Sequence, residues 1–246
     1  MIELTLLSAR ARIRAYSAQP LNLVLELLYV AIILFVIIAA GHAQDLGTLR
    51  AAISGYLIWL LFGMVCMSGV EWLNGHIASG RLERLFSGPR PHLHQVFAEI
   101  IASGTIGVVR ATLAGALILA LFRIPMPGVA ASLAVIVLQS LSFFGIALML
   151  AGLSLRWRAL QYGFSLFQIA LLVFTSASTA IVAAVGGAAV WIPITNGIGV
   201  FSGQLSVSAA TFGPMCVLAA ASVVLGALTF VYFDERLFRT CRMFSL

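Results

Sequence analysis

Six apolar runs, each long enough to cross a lipid bilayer as a helix, leave this 246-residue chain few ways to fold. They are Leu21–Gly41, Ala52–Trp72, Ile100–Phe122, Val129–Leu153, Tyr162–Ala184 and Phe212–Phe233. A hydrocarbon core ~30 Å thick takes about 20 helical residues, and backbone in lipid has to satisfy its own hydrogen bonds. Charged residues are 9% of the chain and apolar residues 62%, whereas a soluble domain is about 25% charged. The runs are evenly spread, so residues 1–246 read as one all-α membrane domain of six transmembrane helices. The first run has a longer apolar core than a cleavable signal, which makes it a retained span.

All 14 basic residues are arginine and none is lysine. A phosphate-binding P-loop needs a lysine, so any ATP used must be hydrolysed by another subunit. Arg10, Arg12 and Arg14 precede the first run, and Arg81, Arg84 and Arg90 follow the second. Arg156 and Arg158 follow the fourth, and Arg236, Arg239 and Arg242 follow the sixth. Six spans put these segments on one side, which the positive-inside rule makes cytoplasmic, with both termini there. Only Arg50 and Arg123 fall in outer loops, and Arg110 falls within a span. The net charge of +6 is thus explained by topology, and no nucleic-acid partner is expected. Cys66, Cys216 and Cys241 are widely spaced, which fits small apolar side chains better than a disulfide framework or metal site.

Residues 1–20 read as a helix in the headgroup plane, with Ile2, Leu6, Ala9, Ile13 and Tyr16 on one stripe. The alternative is a plain basic flank. The loop at 73–97 holds a short helical stretch, Arg81-Leu82-Glu83-Arg84-Leu85-Phe86, bounded by Ser79-Gly80 and Ser87-Gly88-Pro89. Leu82, Leu85 and Phe86 share a face, and so short a helix is not stable alone. It therefore needs a surface to dock on, either membrane or a cytoplasmic partner.

This segment, after two spans and a basic start, resembles the coupling helix of permease subunits of type-2 ATP-binding-cassette exporters. Ile192-Pro193-Ile194-Thr195 is similar to a second family segment, which precedes the last span. Two stretches depart from the family pattern: Gly75-His76-Ile77-Ala78-Ser79 lacks the usual acidic residues, and Gly203-Gln204 stands where an arginine is usual. The resemblance implies a bacterial inner-membrane exporter with two copies of a separate ATPase subunit, which carry ATP and Mg. A second permease copy, identical or similar, would complete the pathway. It also implies that Gly80, Arg81, Leu82, Glu83, Arg84, Leu85, Phe86 and Pro89 form the coupling contact.

Residues 185–212 are too broken for a span and too apolar for a free loop, with Gly186, Gly187, Gly197, Gly199 and Gly203 and no charge. The resemblance makes them a pair of short re-entrant helices lining an outer gate, with Trp191, Pro193, Thr195 and Asn196 as gate residues. An interfacial loop anchored by Trp191 is the other reading.

Within the spans, Glu26 and Arg110 fall at similar depth and are paired here as an expected ion pair; each snorkelling alone is the alternative. His92 and His94 lack a carboxylate or cysteine cluster and read as solvated residues at a helix start. From Ala159 to Phe233 there is no charge, so acid–base catalysis has no groups to use there and no enzyme or resident cofactor is expected. The charge-free later spans favour an apolar or amphiphilic cargo such as a drug, lipid or lipid-linked glycan. A secondary transporter and a membrane assembly protein remain as rivals.

Overall fold

The computed structural model describes residues 46–79, 93–122, 128–157, 160–176, 182 and 184–244, together with Leu7, Arg10, Ala11, Arg14, Leu21 and Leu28. Five long helices and one short one are present among them: α1 (Leu46–Ala78), α2 (Leu93–Phe122), α3 (Val129–Arg156), α4 (Leu160–Ser176), α5 (Pro193–Ser202) and α6 (Ala209–Phe244). A 3-10 helix, Gly186–Trp191, precedes α5. There is no strand among the described residues. Three of the helices are long and apolar enough to cross a membrane: α2, α3 and α6. The apolar run Leu21–Gly41, the interfacial helix and Glu26 lie outside the described residues, except that Leu7, Arg10, Ala11, Arg14, Leu21 and Leu28 are helical and exposed.

Helix α1 is the centre of the bundle. Its stretch from Ala51 to Cys66 is apolar on every side, and Ile53, Tyr56, Ile58, Trp59, Phe62 and Val65 are all buried. A helix apolar all round belongs inside other elements, and α1 packs on α2, α3, α4 and α5. The ring of Phe62 lies edge-on to Phe143 at 5.0 Å and stacks on Phe164 at 5.7 Å. Helix α6 is the opposite case. It packs chiefly on α3, leaving Val217, Val224, Leu225 and Leu228 exposed.

Close approaches give the direction of each helix. A side chain on Gly107 would meet Met64 at 3.1 Å and one on Gly115 would meet Leu57 at 3.0 Å, so α1 and α2 are antiparallel. The Trp59 indole donates to the Gln168 carbonyl at 2.8 Å while Phe62 faces Phe164, so α4 is also antiparallel to α1. Ile58 and Gln139 converge on Gly197, and Cys66 donates to the Phe143 carbonyl at 3.4 Å, so α1 and α3 run together. Gly145 lies against Ser222 and Gly226, Gly152 against Phe230, and Trp157 against Phe233 at 6.0 Å, which makes α3 and α6 parallel. Ser79, Arg156 and Arg236 therefore end up at one end of the bundle, and Arg50 and the start of α6 at the other.

The α3–α6 seam depends on missing side chains. A Cβ on Gly145 would run into the Ser222 backbone, and one on Gly226 into the Gly145 carbonyl. On Gly152 it would sit 2.8 Å from the Phe230 Cα. Small residues let helix backbones approach this closely, as is usual where lipid removes the hydrophobic drive for association.

The helices extend past the apolar runs. Helix α1 starts at Leu46 and continues to Ala78, α2 starts at Leu93, and α6 continues to Phe244. The loop at 73–97 is correspondingly shorter, since its two ends are helical turns of α1 and α2. Hydropathy marks the apolar core of a helix, and polar residues such as Asn74, His94 or Arg239 do not stop it.

Candidate functional site

The stretch before α6 is where the fold departs from plain spanning helices. Ile192 is extended, at φ −110° and ψ 120°, as a residue before proline prefers. Pro193 then starts α5 in its first turn, where its missing N–H is no loss. Gly203 closes α5 in the left-handed conformation, φ 82°, which glycine adopts without strain. Its N–H donates to the Val200 carbonyl at 3.1 Å, and the Leu205 N–H to the Gly199 carbonyl at 2.9 Å.

This helix is enclosed rather than laid on the surface. Every residue from Thr195 to Phe201 is buried, and α5 packs on α1, α3 and the 3-10 helix. Polar groups enclosed in this way need partners. The Thr195 hydroxyl donates to the Ala189 carbonyl at 2.7 Å, and the Asn196 amide donates to the Val190 carbonyl at 3.3 Å. These two bonds stitch α5 back onto the 3-10 helix.

A third bond reaches another helix. The Gln139 Nε2 of α3 donates to Asn196 Oδ1, and both residues are 1% exposed. Gln139 Oε1 has no hydrogen-bond partner among the described residues. Turning the Asn196 amide over would set its oxygen against the Val190 carbonyl, so the Val190 bond fixes Asn196, and Asn196 in turn fixes Gln139. Gly197 is the reason the three elements come so close. A Cβ there would stand 2.7 Å from Gln139 Nε2 and 2.8 Å from Ile58 Cδ1.

The other end of α5 is held by Arg50. Its Nε donates to the Phe201 carbonyl at 2.9 Å, and its guanidinium lies 3.3 Å from where a Gly203 Cβ would be. A cation at the last carbonyls of a helix is favoured by the helix dipole. The α1 start thus clamps the α5 end.

Chemically the arrangement offers two amides, a hydroxyl and one guanidinium in apolar surroundings. No group of three or more His, Cys, Asp or Glu comes together among the described residues. What such a set can do is hold α5 by a few directional bonds and release it when they exchange. Of the gate residues expected from the sequence, Thr195 and Asn196 are enclosed in this joint and Pro193 starts its helix. Trp191 points outward, at 56% exposure. Arg110 lies half-buried on α2, while Glu26, its expected partner, is outside the described residues. So is the whole coupling segment, Gly80, Arg81, Leu82, Glu83, Arg84, Leu85, Phe86 and Pro89. Gln139 has no sequence signal that marks it, and Arg50 and Gly203, which stand out in the sequence as an outer-loop charge and a glycine of the 185–212 stretch, have their place in this joint only from the fold. No family model matches the chain, and no curated protein or solved structure matches it significantly.

Proposed function

We propose that this chain is the membrane-spanning permease subunit of an ATP-driven exporter, energised by a separate ATPase subunit. The observation that carries the reading is α5: a short, charge-free helix enclosed between α1 and α3 and held by the Gln139–Asn196 and Arg50–Phe201 bonds. A helix held this way is suited to a gate, because a few bonds in apolar surroundings give two discrete states rather than a soft continuum. Helix α1 supplies the link. Its far end, at Ser79, leads into Gly80–Pro89, the segment that resembles a coupling helix, and its near end carries Arg50 and Ile58 against α5. Closure of the ATPase subunits would push on Arg81–Phe86, and α1, packed on every side, would pass the displacement to the joint.

On this reading two permease copies form the pathway in a cell membrane, with both termini in the cytoplasm and six spans each. The cargo is apolar or amphiphilic, and the chain performs no catalysis itself. The test is purification of the tagged chain in mild detergent from cells that retain its neighbouring genes. An ATPase subunit in equal amount, lost with Glu83→Lys or Leu85→Asp, is expected. Its ATP turnover should lose cargo stimulation with Asn196→Leu. A chain that purifies alone sinks the proposal and leaves a secondary transporter or an assembly protein.

A further inference from the structure

The 3-10 helix Gly186–Trp191 has two different sides. One packs on α5 and α6, with Ala189 buried. On the other, Ala188, Trp191 and Ile192 are exposed. No side chain from Ala184 to Phe212 is charged, so an open apolar face stands beside the enclosed joint. The two are linked directly, because the carbonyls of Ala189 and Val190 hold Thr195 and Asn196. The backbone at Ile192 is satisfied from within, as lipid requires. Its N–H donates to the Ala189 carbonyl at 3.4 Å, and its carbonyl accepts the Asn196 N–H at 3.1 Å.

We infer that this face is a contact for outer-leaflet lipid, through which the bilayer bears on α5. Helix lengths set its level. Gln139 and Ile58 both abut Gly197. Arg156 stands seventeen residues beyond Gln139 on α3, and Arg50 stands eight residues before Ile58 on α1. At ~1.5 Å per residue these stretches are about 25 Å and about 12 Å long. Helices α1 and α3 run together, so the two arginines are about 37 Å apart along the bundle. A bilayer with its headgroups is about 40–45 Å thick, which seats one arginine in each headgroup layer. The joint then falls between the midplane and the outer headgroups, and Trp191 and Ile192, close to Asn196 in the chain, fall with it. Water would meet no polar side chain on this face, whereas an indole is amphipathic and suits the outer part of a leaflet. The contact rests on the membrane reading and not on the ATPase partner, so its failure would leave the exporter proposal where it stands.

The experiment is electron paramagnetic resonance power saturation of the full chain in vesicles of phosphatidylcholine and phosphatidylglycerol. Trp191→Cys carries a nitroxide, in a background of Cys66→Ala, Cys216→Ala and Cys241→Ala. Dissolved oxygen reports lipid, and a water-soluble nickel chelate reports water. Leu141→Cys, exposed on α3 and nearer the midplane than Gln139, and Val207→Cys, exposed beyond the end of α5, bracket the depth. The oxygen-to-nickel accessibility ratio at position 191 should exceed that at 207 severalfold and fall below that at 141. With Trp191→Ala, deuterium exchange of the α5 amides in the same vesicles should quicken severalfold, whereas Val207→Ala should leave it unchanged. If Trp191→Cys fails to fold, as judged by its melting curve, Ile192→Cys reads the same face. A label as open to nickel as the one at 207 overturns the contact and makes the face part of a water route. A label shielded from both reagents overturns it too, by showing that protein, such as a second copy of the chain, covers the face. Unchanged exchange in Trp191→Ala overturns the link to α5.

Discussion

Helix α3 takes part in two joints of opposite kind, within about two turns of each other. At Gln139 it holds α5 through an amide bond to Asn196. At Gly145 it holds α6 by pressing backbone on backbone. The first contact is directional and small, and it leaves Gln139 Oε1 without a partner among the described residues. The second consists of many dispersion contacts, each weak, that fail together once the backbones separate. One helix can therefore act as a fixed strut toward α6 and as a releasable contact toward α5. That asymmetry is what a gate needs: one side that stays and one that moves.

The sharpest way to break the comparison is to force the fixed side apart. Gly145→Leu puts a side chain where the Ser222 backbone already is, and neither partner has a flexible end to yield. Overpacking costs about 1–3 kcal/mol and occasionally more, and this case belongs at or above about 3 kcal/mol. The variant should lose most of its monodisperse protein in detergent, or melt far below wild type. Gly163→Leu is the control, since nothing among the described residues lies within 4 Å of its Cβ position. Equal melting of the two variants would show that the α3–α6 seam is not as drawn.

The releasable side should behave differently, and asymmetrically. Asn196→Leu removes the acceptor of Gln139 Nε2 and the donor to the Val190 carbonyl. It strands an enclosed amide, at about 1–3 kcal/mol. Gln139→Met removes the donor along with its unpaired Oε1 and strands only Asn196 Oδ1, so its loss should fall near the lower end, about 1 kcal/mol. The double variant should lose less than the sum, with a coupling of at least about 0.5 kcal/mol. Melting curves of the three variants decide it. Strict additivity would mean that the two amides do not hold each other.

The two joints were unequally legible in the sequence. The helices themselves were visible as apolar runs because lipid imposes one length and one backbone solution on every span. Their ends were not, since Arg50 and Glu71 lie outside or at the edge of the apolar run yet inside α1. The stretch 185–212 announced itself by glycine, proline and the lack of charge, and it holds two short helices. Gln139 was overlooked for a physical reason. A lone amide inside a span carries no periodic signal, and its importance comes from Gly197 and Asn196, which are distant in sequence. Arg50 stood out only as one of two arginines in outer loops, when its structural part is a hydrogen bond to α5 across 151 positions. Glycines at 145, 152 and 226 lie within apolar runs and carry no signal of their own in hydropathy, although the spacing of Gly145 and Gly152 by seven puts them on one helix face.

The smallest effect tests whether the α5 end is clamped or merely capped. Gly203→Ala places a Cβ on a residue at φ 82°, which costs about 1–2 kcal/mol for an L-residue other than asparagine or aspartate. Gly203→Asn should lose less, because its side chain tolerates the left-handed region. Arg50→Gln removes the bond to the Phe201 carbonyl, and since Arg50 is only partly buried its loss should be about 1 kcal/mol or less. A cap and a clamp differ in how these combine. The alanine Cβ would stand 3.3 Å from the Arg50 guanidinium, closer than comfortable packing, so part of its loss comes from displacing Arg50. In an Arg50→Gln background the Gly203→Ala loss should therefore shrink toward the backbone contribution alone, as read from the two melting-temperature differences. If the alanine loss is the same in both backgrounds, Gly203 ends α5 on its own and Arg50 holds the helix only through Phe201.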